Sequence, residues 1–315
     1  MLTTEAEEIL NNYTVPDGPK NLYNPIRYFL RLGGKRFRPS LLLFVHRLYG
    51  EHYLQDASRL ATCIELFHNF TLIHDDIMDK ATLRRNKETV HTKWNINQAI
   101  LSGDALLIQA YDELAKVHAE ILSKAIVYFN ETGRLVCEGQ QIDMDFETRD
   151  HVLLKDYLEM IRLKTAVLIG ESMRFAGLAA RVSSEEQELL YEIGEDVGVL
   201  FQIQDDYLDV FGENEKFGKE IGGDIKAGKK TILFIKAEEK SEDKIAFKQL
   251  YDSNQHNKVE KITDLFVQLN IHEEIPVEIQ KRFTVIEEKI NKLQLPSSQK
   301  TNLKAFFGKL LHRKS

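Results

Sequence analysis

Between Pro39 and Pro276 the chain contains no proline. Proline lacks an amide hydrogen and its ring clashes with the preceding turn, so helix interiors exclude it. A proline-free tract covering most of the chain therefore points to successive helices. The apolar residues agree. Over Ala61–Lys80, Asp104–Val117, Ile121–Phe146, Leu153–Phe175, Ser184–Val210, Lys229–Glu238 and Phe283–Leu293 they recur at three- and four-residue steps, the spacing of one helical face. No useful length alternates with period two. Thr4 with Glu7 reads as a capping box opening the first helix. Residues 11–25, with three prolines and a glycine, read as a loop, and 211–228 and 252–258 read as separators. No short repeat or low-complexity linker divides the chain. The expectation is an all-α protein with a single domain over residues 1–315.

Charge and cysteine usage narrow the function. The formal charge is −7, which argues against a nucleic-acid partner, since such surfaces are built from clustered Lys and Arg. Cys63 and Cys137 have no metal-ligand spacing and form no disulfide framework, so a reducing cytoplasm is the default. The opening MLTTEAEEIL lacks the basic-then-apolar form of a signal peptide. No apolar run approaches a membrane span. The expectation is a cytoplasmic protein without a stable membrane anchor.

Two acidic motifs carry the chemistry. Asp75, Asp76 and Asp79 lie within LIHDDIMD, and Asp205, Asp206 and Asp209 within FQIQDDYLDVFG. On a helix, acids four apart share a face and repel. A single DDxxD is more often a solvated patch. Two of them, the second in an apolar context where an unpaired carboxylate is expensive, read instead as the walls of a metal site. Oxygen ligands without His or Cys favour Mg²⁺, which keeps waters and binds substrate phosphates as well. Cations say what the metal would hold. Lys35 and Arg38 follow the Gly33-Gly34 turn, Arg84-Arg85 follow the first motif, and Lys164, Lys219 and Lys229 flank the second. Arg offers phosphate a bidentate fork and Lys a point charge. The set suggests two diphosphates, one bridged by metal and one gripped by side chains.

LIHDDIMD followed by two arginines, and FQIQDDYLD followed by GK and D, resemble the trans-prenyltransferase family of isoprenyl diphosphate synthases. GGKRFRP, IELFHNFTLIHDD, NQAILSGDALL, GQQID, LKTAVL and GGDIKAGKKT resemble further blocks of that family, over about residues 33–231. The resemblance implies a helical bundle of the isoprenoid synthase type with a central active-site cavity, a homodimer, and three Mg²⁺ ions per site. By the same resemblance, Asp75, Asp76, Asp79, Asp205, Asp206 and Asp209 hold Mg²⁺. Lys35, Arg38, His68 and Arg85 bind isopentenyl diphosphate. Arg84, Lys164, Lys219 and Lys229 surround the allylic diphosphate. Lys164, Thr165 and Gln202 face the reacting carbons, and Gln140 and Asp143 support them. Asn86 departs from the pattern, since the family usually has Gly after the two arginines.

The implied reaction is head-to-tail condensation of isopentenyl diphosphate with an allylic diphosphate, releasing pyrophosphate. Its barrier is rupture of the allylic C–O bond, so charge on the departing pyrophosphate must be stabilised and water excluded. Phe67, Thr71 and Asp75 share a helical face. At 1.5 Å per residue Phe70 lies about 7–8 Å and Phe67 about 12 Å below the first carboxylate. Phe67 and Phe70, beside the small Thr71, would floor the chain-growth channel. A C20 product is favoured, with C15 next. Against this, Phe67 and Phe70 are equally readable as ordinary core. Two rivals remain: a terpene cyclase, to which Lys35, Arg38 and Arg85 would be superfluous, and a non-catalytic subunit of a heteromeric synthase. Residues 223–230 nearly match a P-loop, but Lys230 stands where Ser or Thr is required and no strand precedes it. His74 with His46 would suit a mixed His/Asp metal site, which leaves the second motif without a role.

Overall fold

In the computed structural model of the chain, residues 2–212 and 221–311 are described, with side chains from 5 to 212 and 221 to 309. Over the described residues the protein is all-α apart from one short hairpin. The helices are α1 (Leu2–Asn11), α2 (Lys20–Arg31), α3 (Phe37–Leu48), α4 (Leu54–Met78), α5 (Val90–Lys93), α6 (Ile96–Leu114), α7 (Ala119–Thr148), α8 (Leu154–Ile161) and α9 (Val167–Ala179). There follow α10 (Ser184–Phe211), α11 (Gly223–Ala227), α12 (Ile232–Lys240), α13 (Lys244–Tyr251), α14 (Lys258–Gln268), α15 (Ile271–Lys292) and α16 (Ser297–Leu311). Strands β1 (Leu83–Arg84) and β2 (Lys87–Glu88) pair antiparallel. A π-helical turn, Arg162–Ala166, joins α8 to α9. Among the described residues no helix is long and apolar enough to cross a membrane.

The chain divides into two compact units, Met1–Asn130 with Glu171–Glu188, and Glu131–Gly170 with Leu189–Ser315. In the first, α4 packs along α6 and α3, and Leu41, Leu60, Ile64 and Leu106 are fully buried. The second closes on a core that includes Tyr157, Ile203, Leu233, Ile235, Tyr251 and Ile275. Side chains of this size gain about 1.5–3 kcal/mol each on burial, which outweighs several local irregularities.

Two prolines show this. Residues 11–25 were expected as a loop, yet α2 begins at Lys20 and runs through Pro25. An interior proline costs about 3 kcal/mol, and burial of Ile26 and Phe29 on the same face offsets it. Pro276, expected to end the helical tract, sits inside α15. The carbonyl four residues back, at His272, lacks its helical donor and accepts instead from the Tyr207 hydroxyl at 3.3 Å. Other boundaries move as well. α1 starts at Leu2, so Thr4 lies inside it and does not cap it. The tract 153–175, read as one helix, is α8, the π turn and part of α9.

Candidate active site

In the first unit the GGKRFRP turn is built from left-handed backbone. Gly33 has φ 75° and Arg36, capping α3, has φ 44°. Gly34 is needed for a different reason: a Cβ there would fall 2.7 Å from Arg85 Nη2. The turn therefore brings the guanidinium of Arg85 against the backbone beside Lys35. Arg36 turns inward and pairs at 2.5 Å with Glu65, both buried, while Glu65 Oε1 also accepts from Asn69 at 3.0 Å. Sequence reasoning did not single out this pair. Its only trace was a glutamate inside an apolar helical run, a position that demands a cation.

Arg38 donates to His68 Nε2 at 3.2 Å, and its own buried Nε finds no hydrogen-bond partner. Burial pulls Arg38 down to about 10, so it stays charged at neutral pH. His68 is held well below its ordinary value by burial and then by Arg38, Arg85, Arg84 and Arg36, so its ring is neutral. Arg38 thus lies on an uncharged imidazole that also feels the charge of Arg85, Arg84 and Arg36, with the Glu65 carboxylate committed to Arg36. Such a cluster is suited to an anion.

The first acidic motif closes α4. Asp75 and Asp76 occupy its last turn, and Asp79 caps it, its amide bonding the Asp75 carbonyl at 2.8 Å. Arg84, on β1, donates through Nε to Asp76 Oδ1 at 2.8 Å and reaches Asp75 Oδ2 at 3.5 Å. Asp76 is 1% exposed, and its Oδ2 has no hydrogen-bond partner. Burial raises its pKa and Arg84 only partly offsets this. Arg85 and Asn86 form the two-residue hairpin turn, with φ 54° and 60°. A primed turn of this kind requires positive φ at both positions and Asn accepts it readily. Asn86 therefore suits this turn, although it departs from the family's usual Gly.

One to three turns before Asp75, Phe67 and Phe70 have ring centroids 5.5 Å apart. Phe70 packs edge-on against His74 at 4.8 Å, and Phe67 against Phe129 of α7 at 5.2 Å. Phe129 in turn meets Tyr111 of α6 at 5.0 Å. Phe67 is core, while Phe70 and Thr71 are half-buried. The Thr71 hydroxyl is turned back onto the His68 carbonyl. Phe129 and Tyr111 extend the aromatic row and were not read from the sequence, because they lie on other helices. His46 is buried and bonds the His52 carbonyl, a structural role.

In the second unit, Lys164 and Thr165 lie in the π turn. Gly139 of α7 permits this: a Cβ there would lie 2.2 Å from the Lys164 amide nitrogen. Lys164 Nζ donates to Asp143 Oδ2 at 2.6 Å. Gln140, one residue past that glycine, has a buried Nε2 without a hydrogen-bond partner. On α10, Asp206 is 4% exposed. It accepts from the Tyr157 hydroxyl at 2.5 Å and from Gln202 Nε2 at 2.9 Å. Burial pushes its pKa up to about 7 despite those two donors. Asp209 accepts from the Asp224 amide at 3.0 Å, and its carbonyl from the Gly222 amide at 2.7 Å. GGDIKAGKKT thus folds back on the motif. Lys229, at the far end of α11, is 3.6 Å from Asp224, and the Tyr251 hydroxyl donates to the Lys229 carbonyl at 2.6 Å. Lys219 and the basic tail residues His312, Arg313 and Lys314 lie outside the described residues.

Among the described residues no three His, Cys, Asp or Glu side chains are grouped as a closed metal cage. The donors nonetheless fit a magnesium ion. Asp76 and Asp206 are buried acids whose ionisation burial opposes, and a hard cation restores it. Mg²⁺ takes one or two carboxylates and completes its shell from water and phosphate.

The polyprenyl synthetase family profile matches residues 19–269. A geranylgeranyl diphosphate synthase of Methanosarcina mazei is 40% identical over 252 residues, covering 76% of this chain and 78% of its own. A geranylfarnesyl diphosphate synthase of Natronomonas pharaonis is 36% identical over 242 residues, covering 71% of each. A crystal structure of a geranylgeranyl pyrophosphate synthase superposes with TM-score 0.95 at 41% identity, over 100% of this chain and 98% of that one.

Proposed function

The chain belongs to the polyprenyl synthetase family and is a short-chain prenyltransferase, and from that premise we propose that it condenses isopentenyl diphosphate with an allylic diphosphate in a Mg²⁺-dependent reaction. The observation that carries this reading lies on α4 and its neighbours. Arg38 on His68, with Arg85 against the Gly34 turn, stands less than three turns of α4 from a carboxylate pair closed by Arg84. One feature binds an anion directly and the other through a cation, as two diphosphates require. A cyclase, which takes one diphosphate, would leave the arginine cluster without a ligand.

In this reading Asp75, Asp76 and Asp79 act together with Asp205, Asp206 and Asp209 on one diphosphate, and residues 1–315 act as a single domain. When bound, Mg²⁺ (three ions) supplies positive charge to the departing pyrophosphate. The chain's own groups do the rest. Arg84, Lys164, Lys229 and Lys219 hold the allylic diphosphate, and Lys35, Arg38, His68 and Arg85 hold isopentenyl diphosphate. Asp75 and Asp76, which Arg84 holds in this structure, would hold the cation, and Arg84 would then be available to phosphate. Gln202 and Thr165 turn oxygen dipoles toward the allylic cation, and Asp143 fixes Lys164. The C2 proton of isopentenyl diphosphate passes to the released pyrophosphate, a base formed beside it as the allylic C–O bond breaks.

Phe70 and Phe67 form the floor, favouring a C20 product. The protein acts in the cytoplasm as a homodimer. The exposed Ile100, Leu101 and Ile108 of α6 and Val127 of α7 support self-association. The test is incubation of the purified chain with labelled isopentenyl diphosphate, starters from C5 to C15 and Mg²⁺, followed by product sizing. Elongation to C20 is expected. Turnover of farnesyl diphosphate without isopentenyl diphosphate would identify a cyclase, and an inert chain a partner subunit.

A further inference from the structure

In the first unit a cleft of about 540 Å³ opens between α2, the hairpin and α5, lined among others by Tyr28, Arg31, Arg85, Lys87, Glu88 and Lys93. Four cations face one carboxylate, in a chain whose net charge is −7. None of the four makes an ion pair with a carboxylate among the described residues, and Lys93 instead rests 4.6 Å over the Tyr28 ring. The wall is fixed. The Tyr28 hydroxyl donates to the Glu88 carbonyl at 2.8 Å, and its ring meets Trp94 edge-on at 5.3 Å. Arg85 is common to the cleft and to the Gly34 turn, against which its guanidinium lies. Lys35, Arg38, His68 and the acids of the first motif do not line it.

We propose that this cleft is a second, metal-independent docking site for a diphosphate group, serving the reaction through Arg85. Unpaired Arg and Lys around one concavity attract a multiply charged anion and raise its local concentration, and the guanidinium forks offer it paired hydrogen bonds. The cleft is roomy for a diphosphate. That it takes an anion follows from its own geometry; that the anion is a diphosphate rests on the function proposed above. Incoming isopentenyl diphosphate and released pyrophosphate share this group, and the two are separable by kinetics.

Trp94 is the only tryptophan in the chain and reports on the cleft wall. Inorganic pyrophosphate titrated into the full chain without divalent ions is expected to change Trp94 fluorescence saturably. The double variant Arg31→Gln/Lys87→Gln weakens the apparent affinity about tenfold, whereas Lys35→Ala leaves it within about twofold. The reverse pattern, or no saturable change in the wild type, overturns the site. Steady-state kinetics of the double variant then assign the source at unchanged kcat. A raised KM for isopentenyl diphosphate marks docking of substrate, and weaker pyrophosphate inhibition at unchanged KM marks docking of product. If neither constant moves, the cleft has no part in the reaction and the proposal fails. A wild type without condensation activity defeats the functional reading alone and leaves the fluorescence comparison standing.

Discussion

Asp206 holds a carboxyl in a place where charge is opposed. Unfolded, it ionises near its ordinary value of 3.8, and folded near 7, because burial outweighs the bonds from Tyr157 and Gln202. Between those values the folded chain keeps a proton that the unfolded chain has released. This group's contribution to stability therefore declines as pH rises from about 4 to about 7 and stays at its lower level above that. Asp206→Asn removes the penalty. In metal-free buffer at pH 8 it is expected to raise unfolding stability by an amount on the order of 2–4 kcal/mol, measured by urea titration. Turnover should fall at least about a hundredfold. A variant no more stable than wild type contradicts the reading of Asp206 as an acid that waits for a cation. Phe70 carries the second prediction at this scale. Its ring closes on Phe67 and His74, so Phe70→Ala is expected to lengthen the product, read by chromatography of the hydrolysed chains. Unchanged length makes it plain core.

At the scale of elements, the π turn is the segment to probe. Gly139→Ala puts a methyl group 2.2 Å from the Lys164 amide nitrogen, a backbone atom that cannot rotate away. We expect a loss of about 1–3 kcal/mol of stability, with kcat reduced further than KM is raised, since Lys164 and Thr165 ride on the turn. Unchanged kcat would mean that the turn does not position them. The helical pattern made α4, α6, α7 and α10 legible, because long amphipathic tracts repeat their signal. It could not show the π turn Arg162–Ala166, where the period changes within a tract that stays helical on both sides. It also missed α13, α14 and α16, which are short or largely polar and are held by tertiary contacts through Phe247, Ile262 and Leu303. The acids of both motifs and the basic residues proposed to act with them stand out in the sequence because their spacing is local. Arg36–Glu65 and Tyr157–Asp206 were not, since their partners lie 29 and 49 residues apart and no periodicity links them.

For the whole molecule, the apolar row on α6 and α7 predicts self-association. Leu101→Lys with Ile108→Lys is expected to convert a sedimenting dimer into monomer, and a wild type that sediments as monomer at micromolar concentration removes the homodimer from the account. The central claim is that residues 75–79 and 205–209 share one diphosphate through divalent ions. A crystal structure with Mn²⁺ and a non-hydrolysable thiolo-diphosphate of the allylic substrate tests it most directly. The account predicts anomalous peaks ligated from both motifs around a single diphosphate. Peaks confined to one motif, or motifs opening separately onto bulk solvent, would contradict it.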